Sequence, residues 1–189
     1  MLTLRILDEI EIGSLYKQSM SRDFPASELK SLAAILNLYH RDEYQVLGAY
    51  LNKQFVGYAL LYLPGNDRLA LLDYLAVEPQ YRGRGIGTAL LRQLKAYYAD
   101  RTEALLIECE RPKAAPDEME ARKRIRFYTK AGCVLTSVRI WLFDVEYSIL
   151  VLPCGYELPD YDWAATILTL YRQMLPRDLF EHNVRLIRA

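Results

Sequence analysis

A glycine-rich segment at residues 81–88 has the residue types and spacing of a phosphate-binding loop. It reads Tyr-Arg-Gly-Arg-Gly-Ile-Gly-Thr, with arginines and glycines at Arg82, Gly83, Arg84, Gly85 and Gly87. A strand-like run ends just before it at Val77, and a helix-like run begins at Thr88. Uncovered amides in the first turn of a helix, together with the helix dipole, attract an anion. Because arginine suits phosphate oxygens, the segment is predicted to bind a phosphate group.

Other nucleotide-binding loops do not fit the spacing. A P-loop would need a lysine followed by Ser or Thr after the last glycine, and no lysine follows Gly87. A dinucleotide fingerprint would place its first glycine directly at the end of the strand. Here residues 78–81 intervene, and Pro79 ends strand pairing. An ordinary strand–helix connection remains the alternative.

The hydrophobic pattern predicts the elements that would position this loop. Strands are expected at 45–51, 54–63, 69–77, 103–110, 133–144 and 146–152, and helices at 7–20, 24–39, 88–98 and 118–131. A turn is expected at 64–67. This order predicts a mixed sheet with helices on both faces.

Two segments resemble the GCN5-related N-acetyltransferase (GNAT) family. In that family a strand ending in hydrophobic-Ala-Val-x-Pro is followed by Arg/Gln-x-x-Gly-x-Gly/Ala and a helix; residues 75–87 read Leu-Ala-Val-Glu-Pro-Gln-Tyr-Arg-Gly-Arg-Gly-Ile-Gly. Residues 126–133, Arg-Phe-Tyr-Thr-Lys-Ala-Gly-Cys, resemble the family's Phe-Tyr-x-Lys-x-Gly-Phe helix end. The chain departs from the pattern at Cys133, where an aromatic is usual. It also lacks the asparagine often found a turn or two before the tyrosine.

The resemblance implies an α/β (mixed α+β) GNAT fold. Its central sheet is mixed, mostly antiparallel and flanked by helices, with a first short strand at 2–7. The expected domain is 1–153, and 154–189 is expected to be a C-terminal helical extension packed on or near it. The implied co-substrate is acetyl-CoA, with no metal. Its expected binding residues are Leu75, Ala76, Val77, Arg82, Gly83, Arg84, Gly85, Ile86, Gly87 and Thr88.

The resemblance also gives Tyr128 a role in catalysis. Acyl transfer from a thioester expels a thiolate, which needs a proton as it leaves. A tyrosine with an ordinary pKa of about 10 stays protonated at neutral pH and can act as general acid. The family's oxyanion donor, a backbone amide near the end of the central strand, maps onto Val77. The alternative for Tyr128 is packing against Ile125 on the helix face.

Glu108 and Glu110 are the candidates for the base that takes the proton of an ammonium acceptor. They alternate along one face of the predicted strand 103–110, and their repulsion can raise the pKa of one of them. Glu110 is slightly favoured because it lies at the strand's carboxyl end. Asp73, inside the preceding strand, is a third candidate, although a buried hydrogen-bonded aspartate is favoured there. An exposed acidic face paired with the basic helix is the alternative.

The function these residues imply is transfer of an acetyl group from acetyl-CoA to a primary amine. The acceptor is an unidentified small molecule or peptide, and transfer is direct. The alternative is a catalytically idle acyl-CoA-binding sensor or interaction module with the same fold.

Composition excludes several other partners. Lysine plus arginine number 24 and aspartate plus glutamate number 24, so no overall field recruits nucleic acid or an anionic membrane. The three cysteines, Cys109, Cys133 and Cys154, lack metal-ligand spacing and suit a reducing compartment. With no leader or apolar span in the pattern, the protein is expected in the cytoplasm.

The last 36 residues carry a helical stripe of Trp163, Ile167, Leu170 and Met174 before Pro176. A helix packed on the domain surface is favoured. A cover for the substrate site and a homodimer contact remain open.

Overall fold

The computed structural model describes residues 1–65, 68–155 and 157–187. Within these ranges, eight strands form one sheet: β1 (Leu2–Ile6), β2 (Tyr44–Leu51), β3 (Gln54–Tyr62), β4 (Leu69–Val77), β5 (Ala104–Glu110), β6 (Val134–Leu142), β7 (Val145–Pro153) and β8 (Val184–Leu186). The α-helices are α1 (Glu9–Leu15), α2 (Ser21–Asp23), α3 (Leu32–His40), α4 (Ile86–Tyr98), α5 (Glu118–Lys130), α6 (Trp163–Met174) and α7 (Arg177–Asn183). The strand order is β1-β2-β3-β4-β5-β7-β6-β8. The mixed, mostly antiparallel sheet predicted from the sequence is confirmed.

The first helix, α1, begins directly after its N-cap residue Asp8. The Asp8 carboxylate accepts from the amide of Glu11, and the Glu11 side chain accepts from the amide of Asp8, which completes a capping box. A π-helical turn at Tyr16–Met20 joins α1 to the short α2, so one helical segment reaches Asp23.

The predicted start of the second helix is wrong. α3 begins at Leu32 behind the cap Ser31, not near Phe24. The preceding residues are held in turns instead, because the hydroxyl of Tyr74 donates to the carbonyl of Glu28 and accepts from the amide of Lys30, both at 2.9 Å. These tertiary hydrogen bonds override the helical spacing.

β4 and β5 create the opening in the sheet. In the described residues they are the only parallel pair, and their pairing stops at Leu72 and Ile107. β4 continues to Val77 and β5 to Glu110, so the ends of the two strands diverge without a ladder between them. Parallel strands with a helical crossover bring both carboxyl ends to one edge, where ligands bind.

A β-bulge at Asp73 changes the alternation of β4. Leu61 of β3 pairs with Leu72 while the adjacent Leu60 pairs with Tyr74, so Asp73 is the extra residue. Leu71 and Tyr74 consequently face the same core cluster.

The core is divided between the two faces of the sheet. One cluster contains buried side chains of α1, α3 and α6, and the other contains those of α4 and α5, including Leu90, Leu94 and Tyr128. The predicted arrangement of helices on both faces is therefore confirmed.

The C-terminal segment adds a strand as well as helices. β8 pairs antiparallel with the outer edge of β6, with Ile140 opposite Leu186 and Leu142 opposite Val184. α6 buries Ile167, Leu170, Tyr171 and Met174 in the core cluster that it shares with α1 and α3.

The turn expected at 64–67 includes residues 66 and 67, which lie outside the described residues. Across the parts of the chain that are described, every helix is too short or too polar to cross a membrane.

Candidate active site

A cavity of about 1040 Å³ lies where β4 and β5 diverge. It is lined by the ends of both strands, the glycine-rich loop, α5, the segment between α2 and α3, and one residue of α6. Of the residues predicted from the sequence, those that line it are Asp73, Leu75, Ala76, Val77, Arg82, Gly83, Gly85, Ile86, Gly87, Thr88, Glu108, Glu110 and Tyr128. Arg84 lies outside the lining and is exposed.

The loop turns into α4 through backbone conformations that favour glycine. Gly83 has a φ of 73° and Gly85, the N-cap of α4, a φ of 78°. Among the described residues, the amides from Gly83 to Thr88 donate to no backbone carbonyl. These groups lie at the positive end of the thirteen-residue α4. The arrangement can accept an anion with several phosphate oxygens.

Gly87 allows α4 to approach α5 closely. A β-carbon at this position would lie 3.1 Å from two ring atoms of Phe127 and 3.7 Å from a methyl group of Val77. The glycine therefore serves packing between the loop and the adjacent helix as well as the exposure of its amide.

The side chain of Arg82 connects the glycine-rich loop to two other parts of the cavity wall. Its Nε donates to the carbonyl of Val77 and its Nη2 to the carboxylate of Asp23, each at 2.8 Å. Asp23 also accepts from Arg22 and from the hydroxyl of Tyr58. Burial alone would raise the pKa of Asp23, but the hydrogen bonds from Arg22 and Tyr58 hold that pKa below its ordinary value.

Tyr128 lies on the inner face of α5 beside buried Cys109 and Cys133. Its side chain is buried but lines the cavity, and its hydroxyl has no hydrogen-bond partner among the described residues. Burial, with smaller contributions from Cys109 and Cys133, raises its pKa well above the ordinary value. The phenol therefore remains protonated at neutral pH and can donate toward the cavity.

The two candidate carboxylates have different partners. Glu110 forms an ion pair with Arg124, with 3.0 Å between Oε2 and Nη1. Glu108 accepts a hydrogen bond from the hydroxyl of Tyr171 in α6. Burial is the main cause that raises the pKa of Glu108, while the hydrogen bond from Tyr171 and the charge of Lys30 lower it. The resulting pKa is about 7. A carboxyl group with this pKa can accept a proton at neutral pH.

Asp73 is a buried, hydrogen-bonded aspartate, as the sequence favoured. Its carboxylate is 2.8 Å from Nζ of Lys30 and accepts from the hydroxyl of Tyr44. Lys30 belongs to the segment that precedes α3 and forms one wall of the cavity. A second contact of this segment is the hydrogen bond of 2.9 Å from Tyr147 of β7 to Glu28.

Sequence reasoning did not find several of these residues. Glu28 and Lys30 lie inside the helix predicted at 24–39, Asp23 lies just before it, and Tyr171 lies in the C-terminal extension, to which no site residue was assigned. Their contacts join residues far apart in the chain, such as Tyr171 and Glu108, which are separated by 63 positions. A polar tyrosine within the apolar stripe of α6 is the only local signal for this contact.

Metal ligands are not grouped in the described part of the chain, where no cluster of three His, Cys, Asp or Glu side chains is arranged to hold an ion. Cys109, Cys133 and Cys154 are buried free thiols.

Known proteins share both the sequence pattern and the fold. The model of the acetyltransferase (GNAT) family matches residues 10–132. A Bacillus subtilis protein named "Putative acetyltransferase YjbC" is 29% identical over 120 residues, which cover 60% of this chain. The match spans about half (53%) of that relative's length.

Solved structures extend the similarity of fold. A Vibrio cholerae spermidine N-acetyltransferase SpeG mutant has a TM-score of 0.61 at 15% identity, covering 81% of this chain and 94% of that chain. The ribosomal-protein-S18-alanine N-acetyltransferase of Escherichia coli has a TM-score of 0.58 at 21% identity, covering 85% and 100%. A Bacteroides thetaiotaomicron protein described as from the GNAT family has a TM-score of 0.74 at 17% identity, covering 90% and 96%. With the family model matched over 10–132, the chain belongs to the GNAT family of acetyltransferases.

Proposed function

We propose that this protein transfers the acetyl group of acetyl-CoA to a primary amine by direct attack, without a covalent enzyme intermediate. The observation that carries the proposal is that a single cavity is lined by the glycine-rich loop, a protonated tyrosine and a carboxylate with a pKa of about 7. Family membership supports the same reaction class.

The diphosphate of CoA would bind to the amides from Gly83 to Thr88. These amides donate to no backbone carbonyl of the residues that the structure describes, and the dipole of α4 favours negative charge beside them. The pantetheine arm would pair with the open edge of β4 near Leu75–Val77, where the ladder to β5 has ended. The side chain of Arg84 is exposed and outside the cavity lining, so Arg84 would contribute its backbone amide to this binding mode.

Glu108 is assigned as the base in preference to Glu110. An amine acceptor is mostly ammonium at neutral pH, and it must lose a proton before it attacks. Glu110 is already paired with Arg124, whereas the one hydrogen bond that the described residues make to the Glu108 carboxylate comes from a neutral hydroxyl. Glu108 therefore has a pKa of about 7 and, within the described part of the chain, no ion-pair partner to lose.

Tyr128 is assigned as the acid that completes the transfer. Glu108 takes one proton from the ammonium, the freed amine nitrogen bonds to the carbonyl carbon of the thioester, and the second proton of that nitrogen leaves to solvent. The carbon–sulfur bond then breaks, and the thiolate takes the proton of the Tyr128 hydroxyl. Proton exchange with solvent restores both side chains.

The acceptor is proposed to be a cation before reaction. Glu28, Asp73, Glu108 and Glu110 line the cavity beyond the loop, while Lys30 and Arg124 pair with only two of these four carboxylates. The related structures include enzymes named for spermidine and for an alanine of ribosomal protein S18. Either a small polyamine or a peptide amino terminus fits this chemistry.

The test is release of CoA thiol in mixtures of acetyl-CoA with polyamines, aminoglycosides, amino acids and peptides. Amine-dependent thiol release with matching acetylated product in mass spectrometry is the expected result. Saturable CoA binding without acetylation of any amine would contradict the enzyme and favour a sensor.

A further inference from the structure

The C-terminal helix α6 contributes a side chain to the cavity. Tyr171 lines the cavity and donates a hydrogen bond to Oε1 of Glu108 on β5. α6 lies beyond residue 132, where the match to the family model ends. The contact is therefore made by a part of the chain that the family pattern does not describe.

The packing of α6 fixes the position of this hydroxyl. Tyr171 is 1% exposed, and Ile167, Leu170 and Met174 are buried with it in the same cluster. The Asp162 carboxylate caps the start of α6, and Leu175 ends it before Pro176. A buried tyrosine on a well-packed helix has little freedom to turn away from its acceptor.

We propose that Tyr171 is the positioning residue for the catalytic base, holding the Glu108 carboxylate toward the acceptor and favouring its ionised form. This inference rests on the proposed function of the same cavity. It gives the C-terminal segment a part in the reaction in addition to its packing on the sheet. The acceptor chemistry that requires this arrangement is an amine that enters as ammonium.

Other charged and titratable groups also act on Glu108. Asp73 of β4 and Glu28 before α3 raise its pKa, and Lys30 lowers it. Tyr147 of β7 interacts with Glu108 and donates to Glu28, while Glu110 follows on β5. Among these groups, Tyr171 is the one that donates a hydrogen bond to the Glu108 carboxylate.

The direction of the Tyr171 contribution follows from which state it stabilises. A hydroxyl that donates to a carboxylate favours the ionised form and lowers the pKa. Removal of the hydroxyl should raise the pKa of Glu108, so a larger fraction of the base is protonated near pH 7. The kcat/KM of a variant without this hydroxyl should therefore fall most at low pH and least at high pH.

The variant that tests this is Tyr171→Phe, which removes one oxygen and keeps the ring. Its acid limb of kcat/KM should move upward by about one pH unit. The variant should be more than about tenfold less active than the wild type near pH 6, and near pH 9, where Glu108 is ionised in both proteins, it should keep a smaller loss caused by the misplaced carboxylate. Tyr98→Phe is the matched control, because Tyr98 is also buried and donates to Gln45 outside the cavity lining. Its pH profile should match the wild type.

A direct titration keeps the inference testable without turnover. The side-chain carboxyl carbon of Glu108, assigned by its loss in Glu108→Gln, should titrate near pH 7 in the wild type by ¹³C NMR and higher in Tyr171→Phe. If that variant does not fold, the wild type can be used alone. The ¹³C chemical shift of the Tyr171 ring carbon that bears the oxygen should then change with pH at the same midpoint as the Glu108 carboxyl carbon. An unchanged Glu108 titration in the variant, or a Tyr171 signal indifferent to it, overturns the inference.

The outcomes also separate the inference from the proposed function. If the NMR midpoint moves but no amine is acetylated, the proposed function fails although the contact is real, and the positioning role falls with it. If amines are acetylated and the acid limb does not move, the reaction stands and the role of Tyr171 is refuted. A shift of both the NMR midpoint of Glu108 and the acid limb of kcat/KM supports the inference.

Discussion

At the scale of single residues, the cavity keeps two proton-transferring groups in opposite states at neutral pH. Burial raises the pKa of Tyr128 far enough to keep it protonated, and it raises the pKa of Glu108 only to about 7. One phenol can therefore give a proton while a carboxylate that lines the same cavity takes one.

Replacing Tyr128 by Phe should lower kcat by about 100-fold, because the departing thiolate loses its proton donor. The Kd for CoA should change little, since the hydroxyl makes no hydrogen bond in the described structure. Steady-state thiol release and calorimetric CoA titration measure the two quantities, with Tyr98→Phe as the control. An unchanged kcat at saturating amine would remove Tyr128 from the mechanism.

Glu108→Gln and Glu110→Gln should differ in their effects. The first removes the proposed base and should lower kcat/KM by about 100-fold near pH 8. The second removes the partner of Arg124 and should have a smaller effect. In the wild type, kcat/KM should rise with pH up to about 7 and then level off, because the base must be ionised. A larger loss in Glu110→Gln would exchange the roles of the two carboxylates.

At the scale of elements, the loop, α4 and the segment ending at Asp23 form one connected wall. Arg82 links Val77 at the end of β4 to Asp23, and the positive φ of Gly85 begins α4. The geometry of the anion site depends on these connections as much as on the free amides.

Gly85→Ala should weaken CoA binding and lower stability by about 1–2 kcal/mol, because alanine is strained at a φ of 78°. Gly87→Val should also weaken CoA binding, since its β-carbon would meet the Phe127 ring at 3.1 Å. Gly13→Ala is the control: it lies in α1 with no heavy atom within 4 Å of an added β-carbon, and it should stabilise the helix. Calorimetric CoA titration and urea unfolding report these effects. Full CoA affinity in both loop variants would mean that the loop does not hold the diphosphate.

Asp23→Asn should lower the free energy of unfolding by about 1–3 kcal/mol at neutral pH, because Arg22, Arg82 and Tyr58 lose a charged acceptor. The pKa of Asp23 is held below its ordinary value, so this stabilisation is present above that value and is lost as pH falls through the lowered one. Urea unfolding should thus show a difference between wild type and variant that shrinks toward pH 2. A constant difference across this range would contradict the ion-pair account.

At the scale of the whole molecule, local patterns were enough to predict most elements but not the contacts across the cavity. The hairpin β2–β3 has Asn52 and Lys53 at positive φ, and its boundaries follow from alternation. The start of α3 could not be predicted from the local sequence, because the hydroxyl of Tyr74 in β4 forms hydrogen bonds with the backbone of residues before Leu32. β8 has three residues, too few for a periodic signal.

The candidate site divides in the same way. The loop and Tyr128 have sequence motifs, so their presence in one cavity could be predicted. The choice between Glu108 and Glu110 depends on Tyr171 and Arg124, which come from other elements. Only the folded chain brings these partners together.

The most direct measurement is a crystal structure of the protein with CoA. We expect the diphosphate to lie on the amides between Gly83 and Thr88, with the thiol end between β4 and β5 near Tyr128. Coenzyme bound elsewhere, or a loop left empty at saturating CoA, would contradict this expectation.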